Sequence, residues 1–242
     1  MKPGPGAIRL SGMITLLIAT RNEHKVGEIR SILGNGFECL SLREFPGAPE
    51  VVEDAGTFAG NASKKAIELA KWLAKGNGLH RASRVTLVLA DDSGLEVDAL
   101  NGKPGVQSAR FAALDTGAAG NSSSAANNAK LLRLLDGVPA EKRAGRFRCV
   151  LALAPVVQPG TEGASPVCYA DEIELRTELF EGVCEGRLGF EPRGQGGFGY
   201  DPLFMPAGYD QTFAELGEDL KNGLSHRAKA LAKLRERIRR RG

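Results

Sequence analysis

Asp91 and Asp92 stand side by side in the run Leu89-Ala90-Asp91-Asp92-Ser93-Gly94-Leu95. Adjacent carboxylates repel, and keeping both charged costs free energy unless a cation or a proton offsets it. A hard cation such as Mg²⁺ takes carboxylate oxygens and usually substrate phosphates as well. The same run also reads as a strand end followed by a polar turn. Four further segments carry groups able to do chemistry. Thr20-Arg21-Asn22-Glu23-His24-Lys25 brings a hydroxyl, an amide and an ammonium to the start of a helix, a setting that suits phosphate, although Asn22 serves equally as an N-cap. Glu53-Asp54 precede Gly56-Thr57-Phe58 and Asn61. Glu53 could share a metal with Asp92; alternatively the two acids simply favour a helix N-terminus, worth about 0.3–1 kcal/mol each. Gly194-Gln195-Gly196-Gly197-Phe198-Gly199-Tyr200-Asp201-Pro202 combines glycines that permit close backbone approach to a ligand with aromatic faces for stacking. Last, Lys221 is followed by Ser225-His226-Arg227 at the start of the final helix. Cations there oppose the macrodipole, which a bound anion would explain and a solvated basic face would also permit.

The elements that must position these groups alternate between strand and helix. Met13 to Ala19 and Val85 to Ala90 are apolar runs of strand type, and the second delivers the acid pair to its C-terminal end, where α/β folds bind ligands. Glu23 to Leu33 has helical spacing at Val26, Ile29, Ile32 and Leu33. A long helix is predicted over Thr57 to Trp72, others over Ala125 to Leu135 and Ser225 to Arg239. Arg146 to Ala154 reads as a strand. Pro155 to Pro166 reads as a polar excursion, with Cys168 to Phe180 a strand that could pair with it. Asn101 to Gly120 reads as loop. The fold class is therefore α/β.

Composition bounds the rest. The chain has 242 residues, 42% hydrophobic and 25% charged, with net charge +3, ordinary for a globular protein with a sizeable core. That charge is too small to argue for nucleic acid. The four cysteines, Cys39, Cys149, Cys168 and Cys184, form no CxxC pair, so neither zinc site nor disulfide framework is indicated. No stretch approaches a membrane span, and Met1 to Gly12 has no apolar core of a signal peptide. The expectation is a cytoplasmic protein with a flexible extension over 1–12 and a single domain over 13–242.

Taken in order, these segments resemble the inosine triphosphate pyrophosphatase family of house-cleaning nucleotide hydrolases. The resemblance runs from Ile14 to Leu234. It rests on Thr20, Asn22 and Lys25; on Glu53, Thr57, Phe58, Asn61 and Ala62; on Ala90 to Leu95 with Val97 to Leu100; on Gly102, Pro104, Gly105, Val106 and Ser108 to Ala112; on Gly196 to Phe204; and on Ser225 to Ala228. It implies an elongated mixed central sheet with flanking helices, two lobes around an active-site cleft, and a homodimer. It also implies that Thr20, Asn22 and Lys25 hold the triphosphate, and that Glu53 and Asp92 ligate Mg²⁺. Asp92 would orient or deprotonate the attacking water, and Ser93 would contact phosphate. Phe198 would stack on the purine, with Gly199, Tyr200 and Asp201 lining the base and sugar pocket. Lys221, His226 and Arg227 would recognise the base carbonyl and nearby phosphate, and Lys65 would support the site. The implied reaction is attack of water on the α-phosphoryl group of ITP, dITP or XTP, releasing pyrophosphate. Neither stable nucleic-acid binding nor a membrane partner is expected.

The chemistry fits these residue types in its own right. Phosphoryl transfer is mostly positioning and charge neutralisation. Arg and His can donate to a carbonyl at purine position six, where adenine presents a donor instead. The sequence departs from the family at Gln107, where an aromatic is usual, at Ala113, and in the order Ala55-Gly56 ahead of Thr57. Two rivals stay open: a related pyrophosphatase for modified pyrimidines or methylated purines, and a nucleic-acid-binding module using the arginine-rich tail Arg235 to Arg241.

Overall fold

Strand β1, Ile14–Ile18, is buried along its whole length. The reason lies in its neighbours. It pairs in parallel with β2 (Phe37–Ser41), from Ile14↔Phe37 to Ile18↔Ser41, and in parallel with β3 (Leu87–Val97), from Leu16↔Leu87 to Ile18↔Leu89. A strand with parallel partners on both sides reads as a continuous apolar run. Helix α1 (Glu23–Leu33) makes the crossover between β1 and β2, burying Val26, Ile29 and Leu33. Helix α2 (Phe58–Ala74) follows, capped by Thr57, whose hydroxyl accepts from the Gly60 N–H. After β3 come α3 (Ser124–Leu134), β4 (Ala144–Pro155), β5 (Glu178–Leu188), β6 (Phe204–Pro206), α4 (Phe213–Leu216), α5 (Glu218–Leu224) and α6 (His226–Arg239). The six strands form one sheet in the order β2-β1-β3-β4-β5-β6, with β5 and β6 antiparallel. The sheet is mixed and helices flank it, as the family resemblance implies.

This computed structural model describes residues 14–76, 85–117, 119–157 and 173–240. The predicted extension over 1–12 and most of the 155–166 excursion lie outside them. The chain divides into two compact units, the first comprising Met1–Asp91, Val150–Phe180 and Ala230–Gly242, the second Asp92–Cys149 and Glu181–Lys229. The division falls inside β3, β4, β5 and α6. The second unit has its own core, built on Leu95, Phe111, Leu131, Phe147, Leu203, Phe204 and Phe213. No helix among the described residues is long and apolar enough to cross a membrane.

Three expectations are corrected. Strand β3 does not end at Ala90 but runs on to Val97, because Leu95 and Val97 restore an inward apolar alternation and are fully buried. Residues 173–175 form a helical turn and β5 begins only at Glu178, so the strand predicted over Cys168 to Phe180 is displaced toward the C-terminus. The Asn101 to Gly120 loop is ordered by short 3₁₀ segments, Gly105–Arg110 and Ala113–Asp115 among them.

Candidate active site

In the first unit the site residues are assembled around α1, α2 and the first half of β3. Asn22 caps α1: its Oδ1 accepts from the N–H groups of His24 (3.0 Å) and Lys25 (3.3 Å), and Thr20 Oγ1 accepts from Asn22 N–H (3.1 Å). The capping reading of Asn22 is therefore met, and its consequence is a fixed exit for the Lys25 side chain. Lys25 Nζ donates to Asp91 Oδ1 at 2.5 Å. Lys65, buried on α2, donates to Glu53 Oε1 (2.8 Å) and to the backbone carbonyl of Asp91 (2.7 Å). The loop carrying Glu53 is pinned by the Ala55 N–H, which donates to Oδ1 of the fully buried Asn61 (2.9 Å). A Cβ at Gly60 would come within 2.7 Å of the Ala55 methyl. The Ala55-Gly56 departure is thus accommodated by a glycine one helical turn further on.

Asp91 and Asp92 are 1% and 5% exposed and sit mid-strand rather than at a strand end. Consecutive residues of an extended strand project to opposite faces. The two carboxylates therefore do not converge on one ion, and the charge of Asp91 is compensated by Lys25.

In the second unit the residues come from the rest of β3, the glycine-rich loop and the start of α6. Arg227, 1% exposed, donates through Nη2 to Ser93 Oγ at 2.9 Å. Ser225 caps α6, its hydroxyl accepting from the Ala228 N–H (3.2 Å). The His226 imidazole is 5% exposed and lies against the Phe147 ring, with centroids 4.8 Å apart and planes 14° from parallel. Lys221 on α5 donates to Asp201 Oδ2 at 2.6 Å, and its Nζ is 4.6 Å from the Phe198 ring centroid. The same Asp201 oxygen accepts from the Phe198 N–H at 2.8 Å. Asp201 and Tyr200, expected to line a pocket, direct these groups inward. The Tyr200 hydroxyl donates to the Ser108 carbonyl at 2.9 Å, and burial pushes its pKa up from the ordinary phenol range. Ser108 in turn accepts from the Leu95 N–H (2.9 Å) and donates to the Gly105 carbonyl (2.6 Å), so the 104–110 segment clamps the second half of β3.

The glycines of the 194–199 loop serve the protein itself more than a ligand. A Cβ on Gly194 would meet the Ala214 backbone at 2.5 Å, and one on Gly197, whose φ is +73°, would meet Asp201 Oδ2 at 2.3 Å. Gly199 alone among the loop's glycines has no described atom within 4 Å of that position. It is held by α3: its N–H donates to Ser124 Oγ and its carbonyl accepts from Asn128 Nδ2, both at 3.1 Å. Sequence reasoning missed Ser124, Asn128 and Phe147, which sit on otherwise ordinary helix and strand patterns.

Glu53 and Asp92 offer carboxylate oxygens only, the donor type a hard cation takes. Among the described residues no three of His, Cys, Asp or Glu stand together.

A model of the Ham1 family matches residues 16–237. The chain is 47% identical over 222 residues to the dITP/XTP pyrophosphatase of Desulforamulus reducens, covering 91% of this chain and 94% of that protein. It is 44% identical over 226 residues to the dITP/XTP pyrophosphatase of Shouchella clausii, covering 93% and 97%. Among solved structures, a HAM1 protein from Coxiella burnetii superposes with a TM-score of 0.72 at 32% identity, over 94% of this chain and 100% of that one.

Proposed function

The chain belongs to the Ham1 family, and from that premise we propose that it hydrolyses deaminated purine nucleoside triphosphates, ITP, dITP and XTP, to the monophosphate and pyrophosphate. The observation that carries this reading is the second-unit cluster. A half-buried aromatic ring, Phe198, is braced by Lys221, and the helix that follows begins with the buried donors His226 and Arg227. A purine stacks on the ring, and the donors meet its 6-carbonyl. Adenine would set a donor against them, and an unpaired buried polar group costs about 1–3 kcal/mol. A site built on hydrogen bonding discriminates strongly for that reason.

On this reading water attacks the α-phosphorus and pyrophosphate leaves. Asp92 orients that water and accepts its proton. Lys25 has three N–H donors, so it can hold Asp91 and a phosphate oxygen at once. Thr20 and Asn22 flank it at the α1 N-terminus, where backbone N–H groups favour anions. Lys65 keeps Glu53 in place, and Ser93 adds a phosphate contact beside Arg227. Mg²⁺, held by Glu53 and Asp92, would supply charge neutralisation on the phosphoryl oxygens. The same reading carries a homodimer acting on the cytoplasmic nucleotide pool, checked by sedimentation velocity.

The test is a substrate panel with Mg²⁺, following pyrophosphate and orthophosphate separately. ITP, dITP and XTP should exceed ATP and GTP in kcat/KM by at least about 10²-fold, since two lost hydrogen bonds multiply. Comparable rates on ATP, or release of orthophosphate, would overturn the proposal. The nucleic-acid reading is disfavoured by the tail itself. Arg237 pairs with Glu178 (2.5 Å), Arg240 pairs with Glu236, and Arg235 donates to the Ile32 carbonyl (3.3 Å).

A further inference from the structure

We propose that Phe147 is a positioning residue for base specificity, holding the His226 imidazole in one plane. The proposal rests on the reading of His226 as a base-recognition group. Phe147 lies on β4, away in sequence from every motif of the site. Its ring is buried and nearly parallel to the imidazole, 4.8 Å away at 14°. Behind it stand Phe204, 4.6 Å away at 60°, and Phe213, 6.1 Å away at 28°; these two are themselves 5.4 Å apart. Three mutually packed rings leave Phe147 no room to tilt, because a close-packed core resists displacement.

The consequence for His226 is directional. Imidazole nitrogens bond in the plane of the ring, and a hydrogen bond weakens steeply as its angle falls toward 120°. A ring stacked on a fixed face can present its nitrogens only along that plane. Without the face, that constraint on rotation about the Cβ–Cγ bond is lost, and a carbonyl at purine position six meets a less well aimed donor. The same aromatic group also reaches the other recognition element, since Lys221 Nζ lies 5.9 Å from the Phe213 centroid and 4.6 Å from that of Phe198. One wedge of core rings thus supports both the stacking face and the donor that reads the base edge.

The experiment is Phe147→Leu, with kcat and KM measured on ITP and ATP. Loss of one aimed hydrogen bond should lower kcat/KM for ITP about 10-fold and change that for ATP about 2-fold or less, narrowing the ITP/ATP ratio. In a His226→Ala background the same change should leave the ratio within about 2-fold, the signature of two residues acting as one. Leu131→Ala, in the same core but not one of the three rings, should lower Tm and leave the ratio in place. A ratio that survives Phe147→Leu, or that narrows equally in the His226→Ala background, overturns the inference alone. An unmodified protein with no preference for ITP overturns the functional reading and the inference together. Should Phe147→Leu fail to fold, the His226 ring protons of the unmodified protein carry the test by NMR. A stacked imidazole has upfield-shifted resonances that respond to a non-hydrolysable ITP analogue and not to its ATP counterpart. Unshifted resonances overturn the proposal.

Discussion

Lys25 and Asp91 form an ion pair at 2.5 Å in which the carboxylate is wholly buried and the ammonium stem is 17% exposed. Truncating Lys25 therefore does two things at once: it removes the cation that the proposed reaction assigns to phosphate, and it strands a buried charge. Breaking a buried pair from one side costs about 3–5 kcal/mol. Lys25→Ala should lose stability on that scale in urea denaturation, together with activity. The double change Lys25→Ala/Asp91→Asn should recover most of the stability and none of the turnover. Recovery of turnover in the double variant would mean that Lys25 serves Asp91 and not the substrate.

Asp92 lies on the opposite side of the strand from Asp91 and carries the proton-accepting role in the proposed reaction. Asp92→Asn keeps shape and hydrogen-bonding reach but cannot take the proton or hold a cation well. Turnover should fall at least about 10²-fold, with the far-ultraviolet circular dichroism spectrum unchanged. Excess chelator should silence the unmodified protein, and added Mg²⁺ should restore it. Near-normal activity in either case removes Asp92 and the metal from the mechanism.

Gly197 faces the carboxylate of Asp201 so closely that a Cβ would sit 2.3 Å from Oδ2, in a backbone conformation with φ +73°. Gly197→Ala should push Asp201 off the Phe198 N–H and off Lys221. The Phe198 ring, proposed to stack on the base, then loses its support. KM for ITP should rise about 10-fold or more, in line with two lost hydrogen bonds, both to a carboxylate. Unchanged steady-state kinetics would show that the loop tolerates the shift and that the Asp201 anchor is dispensable.

Cys184 is buried on β5, and burial pushes its thiol up to about 11 from an ordinary value of 9.0. The folded state therefore keeps the proton that the unfolded chain gives up. Stability owed to this group is complete below about pH 9 and declines between there and about pH 11, since the unfolded state binds fewer protons across that window. Denaturation midpoints measured at pH 8 and pH 10.5 should differ less in Cys184→Ala than in the unmodified protein. At pH 8 the native thiol should resist a disulfide reagent that labels it freely in urea.

The apolar runs and helical spacings give most elements directly: α1 spans Glu23–Leu33 as its periodicity indicates, and Thr57 is the cap of α2 rather than its first residue. Position within an element is harder. The acid pair reads as a strand terminus because Asp91-Asp92-Ser93-Gly94 looks like a turn in isolation. The Ser108 hydroxyl, brought in from a distant 3₁₀ segment, adds to the burial of Leu95 and Val97 in keeping the backbone extended, and no local signal announces it. Composition marks 194–200 as a ligand-approaching loop, whereas three-dimensional packing spends Gly194 and Gly197 on contacts with Ala214 and Asp201. Supporting residues are the least legible class. Phe147 and Asn128 obey the local rules of a buried strand and a capped helix, so nothing in the one-dimensional pattern separates them from core.

The fit of Ala55 against Gly60 has an evolutionary consequence. With 2.7 Å between the Ala55 methyl and the place a Cβ would occupy at position 60, one of the two sites can carry a side chain while the loop keeps its course. A lineage that gains a side chain at position 60 must surrender the one at 55, and the reverse exchange is equally open. The two positions should therefore drift as a linked pair among descendants of this sequence. A side chain gained at position 60 while Ala55 keeps its methyl will be purged, whereas loss of the methyl at 55 alone meets no such clash.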